Sequence, residues 1–341
     1  MSVKLPVSYP LITSYPSLAD FLSIAASHPD YEAWLNSNMI QLFCVKKFGK
    51  GCELKFYFPY LFNQCALMNG AALPRHTMAL LEPDPVEMFI KCIDGGNYVI
   101  ISADSYHISA YKPYYQKQIR PHFMMVFGYD RENGTFDIAD FFVGRYEYTT
   151  TTFEELRAAY EAIPWDTDRV QVKLLKLEPR VRYEFDKQHV YDLLSEYFHG
   201  FNTSRRYGSN YNPSQHLVYG MDIYPKLQEF IPLVGEGICI PDRRPFHVIY
   251  DHKRGMKQRI EYMVEHGHIP SSCLPLSQQY ADMTDKCQMM RNLILKYEVV
   301  RQPDMLLRIS DYVKQLEQEE REVLKELLSA LNPASHDTAS V

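Results

Sequence analysis

The chain has 341 residues, 46% of them hydrophobic and 23% charged, and carries a net charge of −6. That length exceeds one ordinary domain and points to two, with enough apolar material for a core in each. The negative balance speaks against a nucleic-acid binder, since no surplus of Lys and Arg neutralises phosphates; the longest apolar runs, Tyr98 to Ile101 and Phe123 to Phe127, have strand length rather than membrane length.

The opening stretch MSVKLPVSYPLITSYPS has two early prolines and no continuous apolar core, so it does not read as a secretory signal. Pro16-Ser17 opens a short helix over Leu18 to Ala26, and His28-Pro29 closes it. A helical or irregular piece follows at Tyr31 to Asn36, then a strand-like MIQLFCV and an extended, aromatic Cys52 to Tyr60. Pro85 starts a helix whose Val86, Phe89, Ile90 and Ile93 share one face. Asp94-Gly95-Gly96-Asn97 ends it, and YVIISAD is the cleanest buried strand in the chain.

HFMMVFGYD, residues 122–130, is a strand; Arg131 to Gly134 is a turn in which Asn-Gly supplies left-handed backbone angles; TFDIADFF, residues 135–142, returns. A further strand end and a helix follow in YTTTTFEELRAAYEAI, with Thr152 as N-cap and Glu155 completing a capping box. After the strand-like VQVKLLKLE, helical patterns take over in KQHVYDLLSEYF, MDIYPKLQEFI, DHKRGMKQRIEYMVEHG and DMLLRISDYVKQLEQEEREVLKELLSAL. NTSRRYGSNYNPSQ reads as a polar loop, a lid or an insertion. The expectation is an α+β domain on an antiparallel sheet over residues 1–180, a mainly helical domain over 181–331, and a disordered tail at 332–341.

Residues that can carry chemistry concentrate in the 122–142 hairpin. Phe136, Ile138 and Asp140 share parity and hence a face. A His on one strand and a carboxylate on its partner come within hydrogen-bond reach, which fixes an imidazole in one tautomer as a general base. The plainer alternative is a solvated strand-end His122 and an Asp140 that begins a loop. Asp130 and Asp137 lie nearer the turn and read as turn or surface residues.

HFMMVFGYDRENGTFDIADFF resembles the signature "His, apolar strand, Gly-Tyr-Asp, turn, apolar strand, Asp" of the butirosin biosynthesis protein H family. VIISADSYHISAYKPYY, TFEELRAAYEAI, YGMDIYPKLQEF and HVIYDHKRGMKQRIEYM are similar to further stretches of that family, so the likeness spans roughly residues 10–330, with only the hairpin motif specific. The resemblance implies a papain-like fold used for acyl transfer or amide-bond formation in natural-product (antibiotic) pathways, with a helical partner domain. A carrier-protein thioester, the acyl group held on phosphopantetheine, is the implied donor, and a small amine the acceptor; no cofactor is implied. His122 would be the general base and Asp140 its orienting group, with Asp104 and Tyr106 on the substrate-binding wall.

The family's nucleophilic Cys belongs at the start of the first helix, where this chain has SYPSLADFLSI and no cysteine. Ser17 is the closest match and Asp20 the other polar candidate; a helix N-terminus favours an oxyanion through its free amides. Ser17 is also a natural helix N-cap, in which case the chain is a non-catalytic relative that binds a carrier or product. The seven cysteines (Cys44, Cys52, Cys65, Cys92, Cys239, Cys273 and Cys287) are scattered without a CxxC pair, which fits a reducing, cytoplasmic compartment. Cys65 is the best substitute thiol, but core packing explains it, as it does Cys44 and Cys92. EHGH with Cys273 downstream lacks a second ligand pair, so no metal site is expected. Lys253, Arg254, Lys257 and Arg259 form a basic cluster that reads as a docking face for an acidic carrier protein or a phosphopantetheine phosphate, or as a solvated helix face.

Overall fold

A computed structural model describes residues 1–58, 65–164, 171–207 and 216–332. The chain divides into two compact units: Met1–Glu32 with Tyr60–Tyr183, and Ala33–Pro59 with Glu184–Val341. The second unit takes in residues 33–59 as well as the chain from Glu184 onward, so the first unit is not one uninterrupted stretch over residues 1–180. The expected tail, apart from Asn332, and the 208–215 part of the polar loop lie outside the described residues.

The first unit is α+β. Its antiparallel sheet has the order β4 (Met68–Pro74), β9 (Gln171–Leu177), β5 (Tyr98–Asp104), β6 (Pro121–Asp130), β7 (Thr135–Phe141), β8 (Tyr146–Thr152), and β1 (Ser2–Lys4) pairs with β6 beyond the end of β5. One face packs on α4 (Pro85–Asp94) and α5 (Phe153–Glu161) through Phe89, Ile101, Met124, Val126, Ile138 and Leu156. The alternation of β7 and β8 turns Ala139 and Tyr148 to the other face, where α1 (Pro16–Ala25) lies and Ser23 meets the Tyr148 hydroxyl at 2.7 Å.

The β6–β7 hairpin follows the sequence reading nearly to the residue. Asp130 caps its turn by accepting from the amides of Glu132 and Asn133, and only Gly134 adopts a left-handed φ, +62°. A bulge between Val126 and Gly128 breaks the register. β1 crosses so close there that a Cβ on Gly128 would lie 3.0 Å from the Val3 carbonyl and 2.5 Å from the Asp137 carboxylate, which pairs with Lys4. The capping box of α5 forms as read: Glu155 N donates to Thr152 Oγ1, and Glu155 Oε2 accepts from Thr152 N.

The second unit combines α2 (Tyr31–Asn38, all but its first two residues), a three-stranded sheet in the order β10 (Leu217–Tyr219), β2 (Leu42–Val45), β3 (Leu54–Phe56), and five further helices: α6 (Lys187–His199), α7 (Ile223–Gly235), α8 (Arg244–Glu265), α9 (Leu274–Val300) and α10 (Pro303–Leu331). Short turns join α8 to α9 and α9 to α10, so these long helices pack as antiparallel neighbours. One buried carboxylate gathers the five helices. Glu320 on α10 accepts from Tyr197 of α6 at 3.0 Å, Tyr224 of α7 at 2.6 Å and Tyr280 of α9 at 3.3 Å, and pairs with Lys253 of α8. All five side chains are sealed from solvent.

Lys253 and Arg259 therefore cannot face a partner: they are 0% and 1% exposed. The Arg259 guanidinium donates to the carbonyls of Asn36 and Met39. Of the basic cluster only Arg254 and Lys257 reach the surface, and Lys257 is paired with Glu261. Both sequence readings of this cluster, docking face and solvated face, are corrected, because Lys253 and Arg259 fall on the apolar stripe that carries Ile249, Met256, Ile260 and Met263. No helix among the described residues is long and apolar enough to cross a membrane.

Candidate active site

The His122 end of the β6–β7 hairpin brings His122, Asp140 and Tyr111 together. Ladder pairing joins Met125 to Ala139 and Val126 to Ile138. Continued past Met125, that register sets Asp140 opposite Met124 and so diagonally from His122 on one face, a spacing that long side chains bridge. His122 Nδ1 lies 2.5 Å from Asp140 Oδ2. A carboxylate oxygen only accepts, so Nδ1 carries the proton and Nε2 is the basic nitrogen. The Asp140 side chain is fully buried, while that of His122 keeps 23% of its surface exposed. The buried group holds the ring, and the ring reaches the surface.

Asp140 has a second donor that sequence reasoning missed. The Tyr111 hydroxyl also donates to Oδ2, and its ring packs between His122, at 6.3 Å, and Phe142, at 4.9 Å. Burial and the nearby Asp140 charge push the Tyr111 phenol well up, which keeps it protonated as a donor. Tyr111 lay within the Tyr-rich stretch noted after YVIISAD, but nothing in a loop's local pattern singles out which tyrosine turns inward.

α1 packs on β6 and β7, the strands that bear His122 and Asp140. Its Asp20 is fully buried and accepts from the Tyr146 hydroxyl of β8 at 2.9 Å. Burial first, then repulsion from Asp140, push the Asp20 carboxyl well above the ordinary carboxylate range, against the pull of the Tyr146 bond. Asp20 Oδ2 and Asp140 Oδ1 have no hydrogen-bond partner among the described residues.

Ser17 stands in the first turn of α1, half-buried. It is not the N-cap: Tyr15 holds that position, without a capping bond from its own side chain, and Pro16 follows as the first helical residue. The capping explanation of Ser17 is thereby removed. Ser17 and Asp20, three residues apart, lie on one side of the helix, and Asp20 is the residue that feels Asp140. No hydrogen bond joins Ser17 to His122 or Asp140 among the described residues.

Asp104 and Tyr106 lie beside this cluster. Ala103 is the ladder partner of His122, and Asp104 follows at the end of β5. Asp104 is 3% exposed, and its Oδ1 accepts from the amides of Tyr106, 3.0 Å, and Arg120, 2.8 Å. It is a buried anchor for the β5–β6 loop rather than an exposed group on a cleft wall. Tyr106 is half-buried and packs edge-on against His107. Cys65 is buried, and desolvation pushes its thiol up to about 12, which makes it a packed group rather than a nucleophile.

The arrangement can move a proton at Nε2 of an oriented imidazole, on strands against which α1, with a serine in its first turn, packs. Comparison with protein-family models and with curated proteins finds no match to this chain.

Proposed function

We propose that this protein is an amide-bond-forming acyltransferase on a papain-like fold, moving an acyl group from a carrier-protein thioester to an amine in natural-product biosynthesis. The observation that carries the reading is the His122–Asp140 pair, a partly exposed imidazole held by a fully buried carboxylate. The likeness of the hairpin motif to the butirosin biosynthesis protein H family supports it.

In this mechanism Ser17 Oγ attacks the thioester carbonyl while His122 Nε2 takes the hydroxyl proton. The tetrahedral oxyanion is stabilised at the start of α1, where the helix dipole favours negative charge. The carrier thiolate leaves and takes the proton from His122. The amine then attacks the serine ester, His122 accepts the amine proton, and returns it to Ser17 Oγ as the amide departs. Asp140 keeps Nδ1 protonated throughout, so Nε2 alone cycles. A serine is a weaker nucleophile than a thiol, and a thioester is already activated; direct attack by the amine with His122 as base is the shorter route to the same product.

Intact-mass analysis after mixing the protein with acyl-loaded carrier protein and an amine tests this. An acylated wild-type enzyme that disappears in Ser17→Ala, with amide formation lost in His122→Ala, is the expected result. Amide formation that survives Ser17→Ala but not His122→Ala assigns the direct route. Absence of any acyl-enzyme and any amide across carriers and amines would refute the enzymatic reading and leave a binding protein.

A further inference from the structure

Two of the seven cysteines touch. Cys44 lies on β2, where it pairs with Leu54 of β3, and Cys52 stands two residues before Leu54. The Val45 amide still donates to the Glu53 carbonyl, so the pairing runs on toward the turn, and alternation brings Cys52 round to the face of Cys44. The two Sγ atoms lie 3.4 Å apart. The Cys44 thiol donates to the Val45 carbonyl at 3.6 Å, which leaves the Cys52 thiol as the donor to Cys44 Sγ.

The pair is closed in, but by a thin cover. Cys44 is 0% and Cys52 4% exposed, while the turn that joins them, residues 45–51, is exposed at Lys46, Lys47, Gly49 and Lys50. A second segment of the same unit rests on that turn. The Ile240 amide donates to the Lys50 carbonyl at 2.8 Å, and Cys239 Sγ donates to the Gly49 carbonyl at 3.6 Å. The bond to Cys44, then burial, push the Cys52 thiol up, and the nearby Asp242 and Cys239 add to this. The closed fold therefore keeps both groups as thiols, and an oxidant reaches them when the turn opens.

We propose that Cys44 and Cys52 are an oxidation site that closes to a disulfide between β2 and β3 when the chain meets hydrogen peroxide. A disulfide places its sulfurs about 2.05 Å apart, a closure of roughly 1.4 Å from the present contact, within reach of side-chain rotation and a small shift of the turn. Cys52, the more exposed thiol, attacks a peroxide oxygen and becomes a sulfenic acid; the hydroxide that leaves takes the Cys52 proton and departs as water. Cys44 Sγ then attacks Cys52 Sγ, the S–O bond breaks, and the hydroxyl leaves with the Cys44 proton as a second water. Two thiols are oxidised and one peroxide is reduced. The bridge lies within residues 33–59 and ties together the two strands that this segment brings to the second unit. By restricting the unfolded chain it makes the small sheet harder to open. Neither thiol takes part in the acyl-transfer steps, so the site is independent of that reading.

Treatment of the full chain with hydrogen peroxide, then alkylation of the remaining thiols and mass spectrometry of a tryptic digest made without reductant, tests the site. Trypsin cuts at Lys46, Lys47 and Lys50, between the two cysteines. The expected product is a pair of peptides joined through Cys44 and Cys52, lighter by two hydrogens than the free pair and separated by dithiothreitol. Met289, 50% exposed, marks the dose by its conversion to the sulfoxide. Cys44 and Cys52 recovered unlinked at a dose that has oxidised Met289 overturn the proposal, and so does a bridge from Cys52 to Cys239. Urea unfolding is expected to show a higher midpoint for the oxidised than for the reduced wild type. In Cys52→Ser, with circular dichroism to verify the fold, the two treatments are expected to give the same midpoint. A wild-type midpoint that stays level or falls on oxidation overturns the stabilising role of the bridge.

Discussion

Asp20 and His252 are buried in different units, and each resists the charged state that its exposed counterpart would adopt, with opposite consequences for stability against pH. Asp20 has its carboxyl pushed well up, so the folded chain keeps a proton that the unfolded chain releases above about 3.9. Its contribution is complete below the unfolded value and is lost as pH rises through the folded one. His252 is the reverse case. Its Nε2 donates to the Ile40 carbonyl at 2.8 Å, so Nδ1 is the acceptor for the Lys253 ammonium at 3.2 Å, and the ring is neutral. Burial, then the charges of Lys253 and Arg259, depress its pKa well below 6.5. The unfolded chain binds more protons between the two values, so this contribution is complete above pH 6.5 and is lost as pH falls below it. Urea unfolding between pH 5 and 8 is expected to show stability falling below pH 6.5 by about 1.4 kcal/mol per pH unit more than in His252→Gln. Equal slopes in the two proteins would mean that His252 is protonated in the fold.

At the scale of elements, five helices of the second unit are joined through a single buried ion pair. Removing one partner of such a pair leaves the other charge uncompensated, at a cost of about 3–5 kcal/mol. Lys253→Met is therefore expected to lower the denaturation midpoint sharply. Lys253→Met with Glu320→Gln is expected to cost less than the sum of the two single changes, the signature of coupling in a double-mutant cycle. Glu320 was legible in the sequence, though not read. Ile309, Val313, Leu316, Val323 and Leu327 follow a heptad spacing in which Glu320 occupies a core position. The same argument recovers α9, which was passed over: Leu276, Tyr280, Met283, Cys287, Met290, Ile294 and Tyr297 keep steps of four and three. That stripe is built from Tyr, Met and Cys rather than Leu, so it gives a weak hydropathy signal. β5, the hairpin and α5 were readable because alternation, an Asn-Gly turn and a capping box act within a few residues. β4 and β10 were missed: they form by pairing with strands remote in sequence. Of the candidate site, His122 and Asp140 could be paired from parity alone. Tyr111 and Tyr146 could not, since their roles arise from where a loop and an edge strand come to rest.

For the whole molecule, the division into units does not follow the order of the chain. Residues 33–59 lie between two parts of the first unit in sequence but belong to the second in space. They supply β2 and β3, the carbonyls of Asn36 and Met39 that receive Arg259, and the Ile40 carbonyl that receives His252. Residues 184–341 produced alone would leave a buried guanidinium and an imidazole N–H without acceptors. Such a fragment is expected to lack a cooperative thermal transition and to regain one when residues 33–59 are supplied through a linker. A native-like transition in the bare fragment would show that the helices suffice.

The same insertion dictates an order of events on the ribosome. Trp34, Leu42, Leu54 and Phe56, all buried in the finished unit, are synthesised roughly 125 residues before Glu184, the start of the rest of that unit. At ~5–20 residues per second that delay is on the order of ten seconds. Throughout it the nascent chain carries an aromatic segment whose partners in residues 184–341 do not yet exist, and the β-sheet unit on either side of it is completed only at the end of that interval, when β9 emerges.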